Sequence, residues 1–304
     1  MSRGADLPTA WDIVVDVARQ LCRLRGDQTA ADNIDASNVE RWFSDTFGTE
    51  LTYSGILEKV APTRQGREDV LRGFCEAAQV PSAAHRAVAR LVAGGVIRVV
   101  VTMNFDHLFE VALREVGIEP RIVSTQAQAA GVPPLQTIED CVVVHLHGEY
   151  RNAESMLNTS TELSQYGDHM QALLNQIVSN HGLLVAGWSA EHDHALRETL
   201  HREHRQFYPA GWVSPHPLSG KAASIATVIG ATLLEGTADD AFTRLADAVA
   251  AMRARGARQS PADTSGGRRS YRGRADRPGI RAERGRSAAR RRASRRSCRR
   301  RRRP

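Results

Sequence analysis

Three shortages in this sequence each remove a class of protein. Its four cysteines, Cys22, Cys75, Cys141 and Cys298, lie far apart and form no CxxC pair. That excludes a disulfide framework and a cysteine-ligated structural zinc, and it favours a reducing compartment, with the cytoplasm as the default. No aliphatic run reaches the ~18 residues that a membrane-crossing helix needs. Asp6, Asp12 and Asp16 interrupt any apolar segment near the start, so no signal peptide is expected there. Lysine is absent after residue 252, where arginine dominates.

What is present divides sharply near residue 250. At 304 residues with 41% hydrophobic content, the chain has room for one large domain with an appendage, or for two small ones. Residues 1–250 carry 20 basic and 31 acidic side chains, a net of −11. Residues 251–304 carry 21 basic and 3 acidic ones, a net of +18. The high isoelectric point therefore describes the tail, and nucleic-acid binding by the folded part does not follow from it. The tail has almost no apolar content beyond Tyr271 and Ile280 and is expected to be disordered, attracting polyanions without specificity. Arginine without lysine is unusual for a nucleic-acid tail and points to a compositional accident, such as a shifted reading frame, in part of it. The expected domains are thus 1–250 and a basic tail at 251–304.

The organising stretch is 96–110. Five of its first six residues are β-branched aliphatics, which predicts a short strand buried on both faces. A helix is expected over 105–116, with Gly117 as its C-cap. Buried strands are likewise expected at 141–146 and 182–187, and further strands at 120–124, 207–214 and 231–234. Thr9 or Asp12 is expected to cap a helix on the stripe Val14, Val17, Ala18, Leu21, and helices are expected around Val39–Phe47 and over 52–60, 65–78, 83–93, 170–180, 194–204, 224–229 and 237–252. In the last of these Phe242, Leu245 and Val249 should face inward, and Ser82, Asp193 and residues 159–162 should cap helices. From Val96 onward strand and helix alternate. The expected fold is α/β: a Rossmann-like, mostly parallel sheet covered by helices.

Polar groups gather where strands end. Thr102, Asn104 and Asp106 follow the first strand, His147 and Gly148 the second, and Gly187, Trp188 and Ser189 the third. In open α/β sheets this is the edge where ligands bind, because strand ends feed helix N-termini and small residues allow close approach to backbone N–H groups. Each has a plainer reading. Asn104 and Asp106 could simply cap a helix, and His147 could be a satisfied structural histidine. His145, one residue earlier, points to the opposite strand face and reads as structural. His192, His194, His201 and His204 lack a carboxylate at metalloprotease spacing and read as a solvated helix face, so no metal ligands are assigned.

The order of these segments resembles the sirtuin-like family, and its bacterial branch more than its protein deacylases. The resemblance rests on Pro81-Ser82-Ala83-Ala84-His85, on Thr102-x-Asn104-x-Asp106, on the His147-Gly148 pair, on Gly187-Trp188-Ser189 with Asp193 after it, and on the closing pattern at 238–245. It covers roughly residues 3–248. The family resemblance implies NAD+ as substrate, cleaved to ADP-ribose and nicotinamide, with Asn104, His147 and Asp106 catalytic and Thr102, Gly187, Ser189 and Trp188 contacting the dinucleotide. Many relatives of that branch deplete NAD in antiphage defence, often with a sensing domain or partner. That leaves a homo-oligomer or a separate sensor protein as candidate partners, while the lack of a membrane-crossing run gives no membrane partner.

Two departures from the family pattern qualify the expectation. Sirtuin-like domains open with a strand and a glycine-rich diphosphate loop, whereas this chain begins at about the following serine: Ser2, Arg3, Gly4. The first strand and its loop are therefore expected to be missing, making activity of this form doubtful. The four zinc cysteines of the deacylases are also missing, so no zinc is expected and deacylation is disfavoured. A non-catalytic interaction module stays open beside NAD hydrolysis.

Overall fold

A computed structural model describes residues 2–5, 10–76, 80–138, 140–150, 155, 165–191 and 193–259. The expected cap at 159–162, His192 and the tail from 260 lie outside the described residues.

The first third is helical. α1 (Ala10–Leu24), α2 (Gln28–Asn33), α3 (Val39–Phe47), α4 (Tyr53–Val60) and α5 (Arg64–Glu76) pack around their own core. The stripe Val14, Val17 and Ala18 meets Phe43, Ile56, Leu57 and Leu71 there. Thr52 closes the N-terminus of α4 by accepting from the Gly55 N–H. α6 (Ala83–Ala93) follows, with its expected boundaries.

Strand and helix then alternate. β1 (Val99–Thr102), α7 (Leu108–Glu115), β2 (Arg121–Val123), α8 (Gln126–Ala130) and β3 (Val142–His145) lead to α9 (Asp168–Asn180) and β4 (Leu183–Ala186). α10 (His194–Glu203), β5 (Ala210–Ser214), α11 (Gly220–Val228), β6 (Ala231–Glu235) and α12 (Ala238–Gln259) complete the described chain. Every described strand pairing is parallel, and helices cover both faces, so the α/β reading holds.

The sheet is nevertheless split. Strands pair in the order β1-β3-β2 and, separately, β4-β5-β6. Between the two groups the edges of β1 and β4 face one cavity of about 460 Å³, lined by residues 96–104 on one side and 182–188 on the other. The helical layers run across this break. Val99, Val101, Leu183 and Val185 all pack against the core under α9 and α10. Val100, Leu184 and Ala186 meet α6 and α12 on the opposite face.

That break corrects two expectations. β1 alternates half-buried and buried residues, and all four residues of β4 are half-buried, where strands buried on both faces were expected. Among the described residues no strand pairs with their facing edges, and the cavity between them accounts for the difference. Three smaller corrections concern the helices. α7 starts at Leu108, because residues 105–107 form the turn that Asp106 ties down. On α12 Leu245 is exposed and Ala246 takes the inward position beside Phe242. α12 also continues through Gln259, beyond the expected end at residue 252.

Candidate functional site

β1, β3 and β4 are parallel, so their polar ends reach one edge of the fold. At the end of β1, Thr102 is buried and its Oγ1 accepts from the Asn104 N–H at 3.0 Å. This turn leaves Asn104 exposed at the mouth of the β1/β4 cavity. Asp106 is 6% exposed, and its Oδ1 accepts from the Leu108 N–H at 3.0 Å. Its carboxylate shapes the loop that carries Asn104 and aligns the entry to α7.

At the end of β3 the two histidines diverge, as strand alternation requires. His145 is fully buried, while His147 is half-buried in a small turn closed by Gly148 at φ 89°. His147 Nε2 lies 2.8 Å from Asp193 Oδ2. The same oxygen accepts from the Tyr166 hydroxyl at 2.8 Å, and Asp193 Oδ1 accepts from the Leu196 N–H at 2.8 Å, closing the N-terminus of α10. Burial would raise the Asp193 pKa, but hydrogen bonds and charge from His147, with help from Leu196 and Tyr166, bring it below its ordinary value. A carboxylate facing Nε2 fixes that nitrogen as the N–H and leaves Nδ1 with its lone pair. A base aligned by an acid partner is the arrangement that proton abstraction needs.

After β4, Gly187 turns the chain at φ 69°, and Trp188 stacks on buried Trp212 with ring centroids 5.7 Å apart and planes 15° from parallel. Ser189 is exposed, and its Oγ accepts from the Glu191 N–H. Thr102, Asn104, Gly187 and Trp188 therefore line one cavity. Among the described residues, His147, Asp106 and Ser189 lie outside that lining, His147 and Ser189 at the same strand-end edge. Sequence reasoning gave Asp193 a capping role, which it has, and missed its bond to His147. It missed Tyr166 entirely.

Beneath this edge lies a buried polar cluster. His145 Nε2 is 2.7 Å from Glu110 Oε1, and His107 Nδ1 is 3.5 Å from the same oxygen. His107 Nε2 is 2.9 Å from Glu149 Oε2. Burial alone would lower the His107 pKa, yet hydrogen bonds and charge from Glu110 and Glu149 raise it to about 9. Burial would raise Glu110, and its two histidine neighbours instead bring it to about 2. His145 Nδ1 faces the Asn104 carbonyl at 3.1 Å, so the cluster is tied to the cavity loop.

Comparison with protein families supplies the decisive match: residues 98–217 fit the model described as a SIR2-like domain. A sirtuin-like domain is present. It begins at β1 and ends just after β5, so it holds Asn104, His147, Gly187, Ser189 and Asp193, while α1–α6 and α12 lie outside the matched residues. Its fold is that of the NAD-dependent sirtuin-like family in general. No curated protein matched the chain.

Proposed function

We propose that the sirtuin-like domain hydrolyses NAD+ to ADP-ribose and nicotinamide. The observation that carries this reading is the pairing of His147 with Asp193 at 2.8 Å, on strand ends beside the cavity that Asn104 overlooks. The bond between ribose C1′ and nicotinamide N1 breaks with its electron pair on the nicotinamide nitrogen. A water oxygen bonds to C1′, and the water's proton passes to His147 Nδ1 and then to solvent. Asp193 holds the ring and offsets the charge that it gains. The Asn104 amide orients the ribose or the water, and Asp106 holds the loop that presents it. Thr102, Gly187, Trp188 and Ser189 contact the dinucleotide. NAD depletion in antiphage defence, with a sensor or an oligomer as trigger, is the setting that the resemblance suggests.

The test is nicotinamide release from NAD+ by the parent and by Asn104→Ala and His147→Ala. Turnover abolished in both variants supports the assignment, and turnover equal to the parent in either would remove that residue from the site.

A second reading, a domain that binds a partner without turning over NAD+, has the split sheet behind it. The open edges of β1 and β4 leave a site with one wall unbuilt. A further parallel strand would fit between those edges. Assays of this chain beside a form extended at the N-terminus separate the readings. Turnover by the extended form alone favours the hydrolase, and silence in two folded proteins favours the binding module.

A further inference from the structure

The buried cluster under the cavity is the feature that NAD+ chemistry leaves unused. His107 lies in the turn before α7, Glu110 in the first turn of α7 and His145 at the end of β3, and all three are buried. Their ligand-capable atoms lie within 4.8 Å of one another.

The difficulty in this cluster is one of lone pairs. His145 Nδ1 faces the Asn104 carbonyl, which can only accept, so Nδ1 carries the ring proton. In the neutral ring, Nε2 then aims a lone pair at Glu110 Oε1 from 2.7 Å. His107 has the same problem: Nδ1 lies 3.5 Å from Glu110 Oε1, and Nε2 lies 2.9 Å from Glu149 Oε2. Three electron-rich atoms converge where no water reaches them. Something positive must sit between them, either a second proton on each ring or a metal ion.

Two observations favour the ion. Glu110 Oε2 is buried and has no hydrogen-bond partner, which a bridging proton on Oε1 does not cure. Bound through both oxygens, Glu110 would give its orphaned Oε2 a partner and make four donors with the two imidazole nitrogens. Donors on separate residues about 2.0–2.2 Å from a tetrahedral zinc stand about 3.4 Å apart; the 3.5 Å between His107 and Glu110 is close to this, and the 2.7 Å between His145 and Glu110 would open by about 0.7 Å on binding. Second, a metal-bound histidine usually donates its remaining N–H to a carbonyl or carboxylate. His145 is held in this way by Asn104, and His107 has Glu149 Oε2 2.9 Å from its second nitrogen.

We propose that His107, Glu110 and His145 bind one divalent first-row transition ion, zinc by donor preference, as a closed structural site. Two imidazoles and a carboxylate suit that class. All three ligands are buried, and the role assigned to the ion is mechanical. It pins the loop carrying Asn104 to the strand carrying His147. The inference is independent of NAD+ turnover, and it concerns different residues from the cysteine-ligated zinc excluded on sequence.

The experiment uses the full chain without a histidine tag. Bound metals are counted by elemental analysis. The chelator-stripped protein is then titrated with Zn2+ and with Co2+, following thermal stability and the cobalt absorption bands. The expected result is about one ion per chain, a Tm raised by several degrees, and cobalt bands of a four-coordinate nitrogen–oxygen site. His145→Gln should lose all three signals, whereas His201→Ala, an exposed residue on α10, should keep them. If His145→Gln fails to fold, the parent's stoichiometry and cobalt spectrum still decide. No stoichiometric ion and a Tm unmoved by either metal would overturn the proposal and leave a proton-bridged cluster.

Discussion

Asp193 joins His147 to the start of α10 through its two oxygens. Oδ2 accepts from His147 Nε2 at 2.8 Å, and Oδ1 accepts from the Leu196 N–H at 2.8 Å. Asp193→Asn separates these roles. Asparagine caps a helix as well as aspartate, so the fold should hold within about 1 kcal/mol. Its Oδ1 would stay on Leu196 and its amide N–H would face His147, driving the ring proton to Nδ1 and removing the base. In a form that turns over NAD+, we expect nicotinamide release to fall by about 10²-fold or more with little change in Tm. Unchanged turnover would show that His147 works without Asp193.

Trp188 gives a prediction about binding rather than chemistry. It lines the cavity while stacked on Trp212, a face-to-face contact worth about 0.5–1.5 kcal/mol beyond its buried area. Because Trp188 also lines the cavity, Trp188→Ala in a form that turns over NAD+ should raise the KM by up to about tenfold and leave kcat nearly constant. Trp188→Phe should recover most of the loss. A KM equal to the parent's would assign Trp188 to packing alone.

Acid should destabilise the protein in two separate windows. Burial brings the pKa of His85, which is 1% exposed, from 6.5 down to about 4, and its Nδ1 accepts from the Ser82 N–H at 3.2 Å. Between those values the unfolded chain binds the extra proton and the folded one does not, so stability falls as pH drops. From pH 7 to pH 5 the loss should be about 2 kcal/mol, on a pKa moved from 6.5 to about 4. His85→Gln keeps an acceptor in the first turn of α6 and has nothing to titrate. On going from pH 7 to pH 5 the urea midpoint of the parent should fall relative to that of the variant, whose remaining change includes the opposite contribution of His107, and parallel behaviour would sink the claim. Asp193 acts lower. Its pKa is depressed, so its contribution is present above 3.8 and disappears as pH falls through the folded value.

The elements legible in the sequence are those whose burial pattern is local. α6 has its expected boundaries because Ser82 caps it and its apolar positions repeat at helical spacing. β3 is a β-branched run buried along its whole length. α2 was missed because only Ala31 of its six residues is buried, which leaves no stripe to read. α8 did carry a signal: Thr125 and Gln128 form a capping box, with Gln128 Oε1 accepting from the Thr125 N–H. Leu245 and Ala246 show the limit of period counting, since one residue of phase decides which faces the core. The candidate site divides in the same way. Strand ends located Asn104 and His147, but Asp193, the partner of His147, lies 46 residues away, and Tyr166, which donates to Asp193, comes from a stretch without periodicity. No local pattern encodes that meeting.

The gap between β1 and β4 makes the strongest stability prediction. Residues 2–5 form a short turn in which Ala5 packs on Leu108 and Gly4 sits against Asp239. Leu108 starts α7 and Asp239 lies in the first turn of α12, so this turn lies at the C-terminal edge of the strands. A strand joined ahead of Ser2 and parallel to β1 and β4 would deliver its end to that edge. It would pair with both open backbones at about 0.5–1.5 kcal/mol per hydrogen bond and cover the half-buried Val99, Val101 and Leu183–Ala186. Extending the chain with five valine- and isoleucine-rich residues and a short glycine linker should raise Tm by about 5–10 °C, the shift expected for a few kcal/mol at this size. A glycine-serine extension of equal length should not. Equal melting of the two would mean that the cavity does not accept a strand, and that the break between β1 and β4 belongs to the folded state.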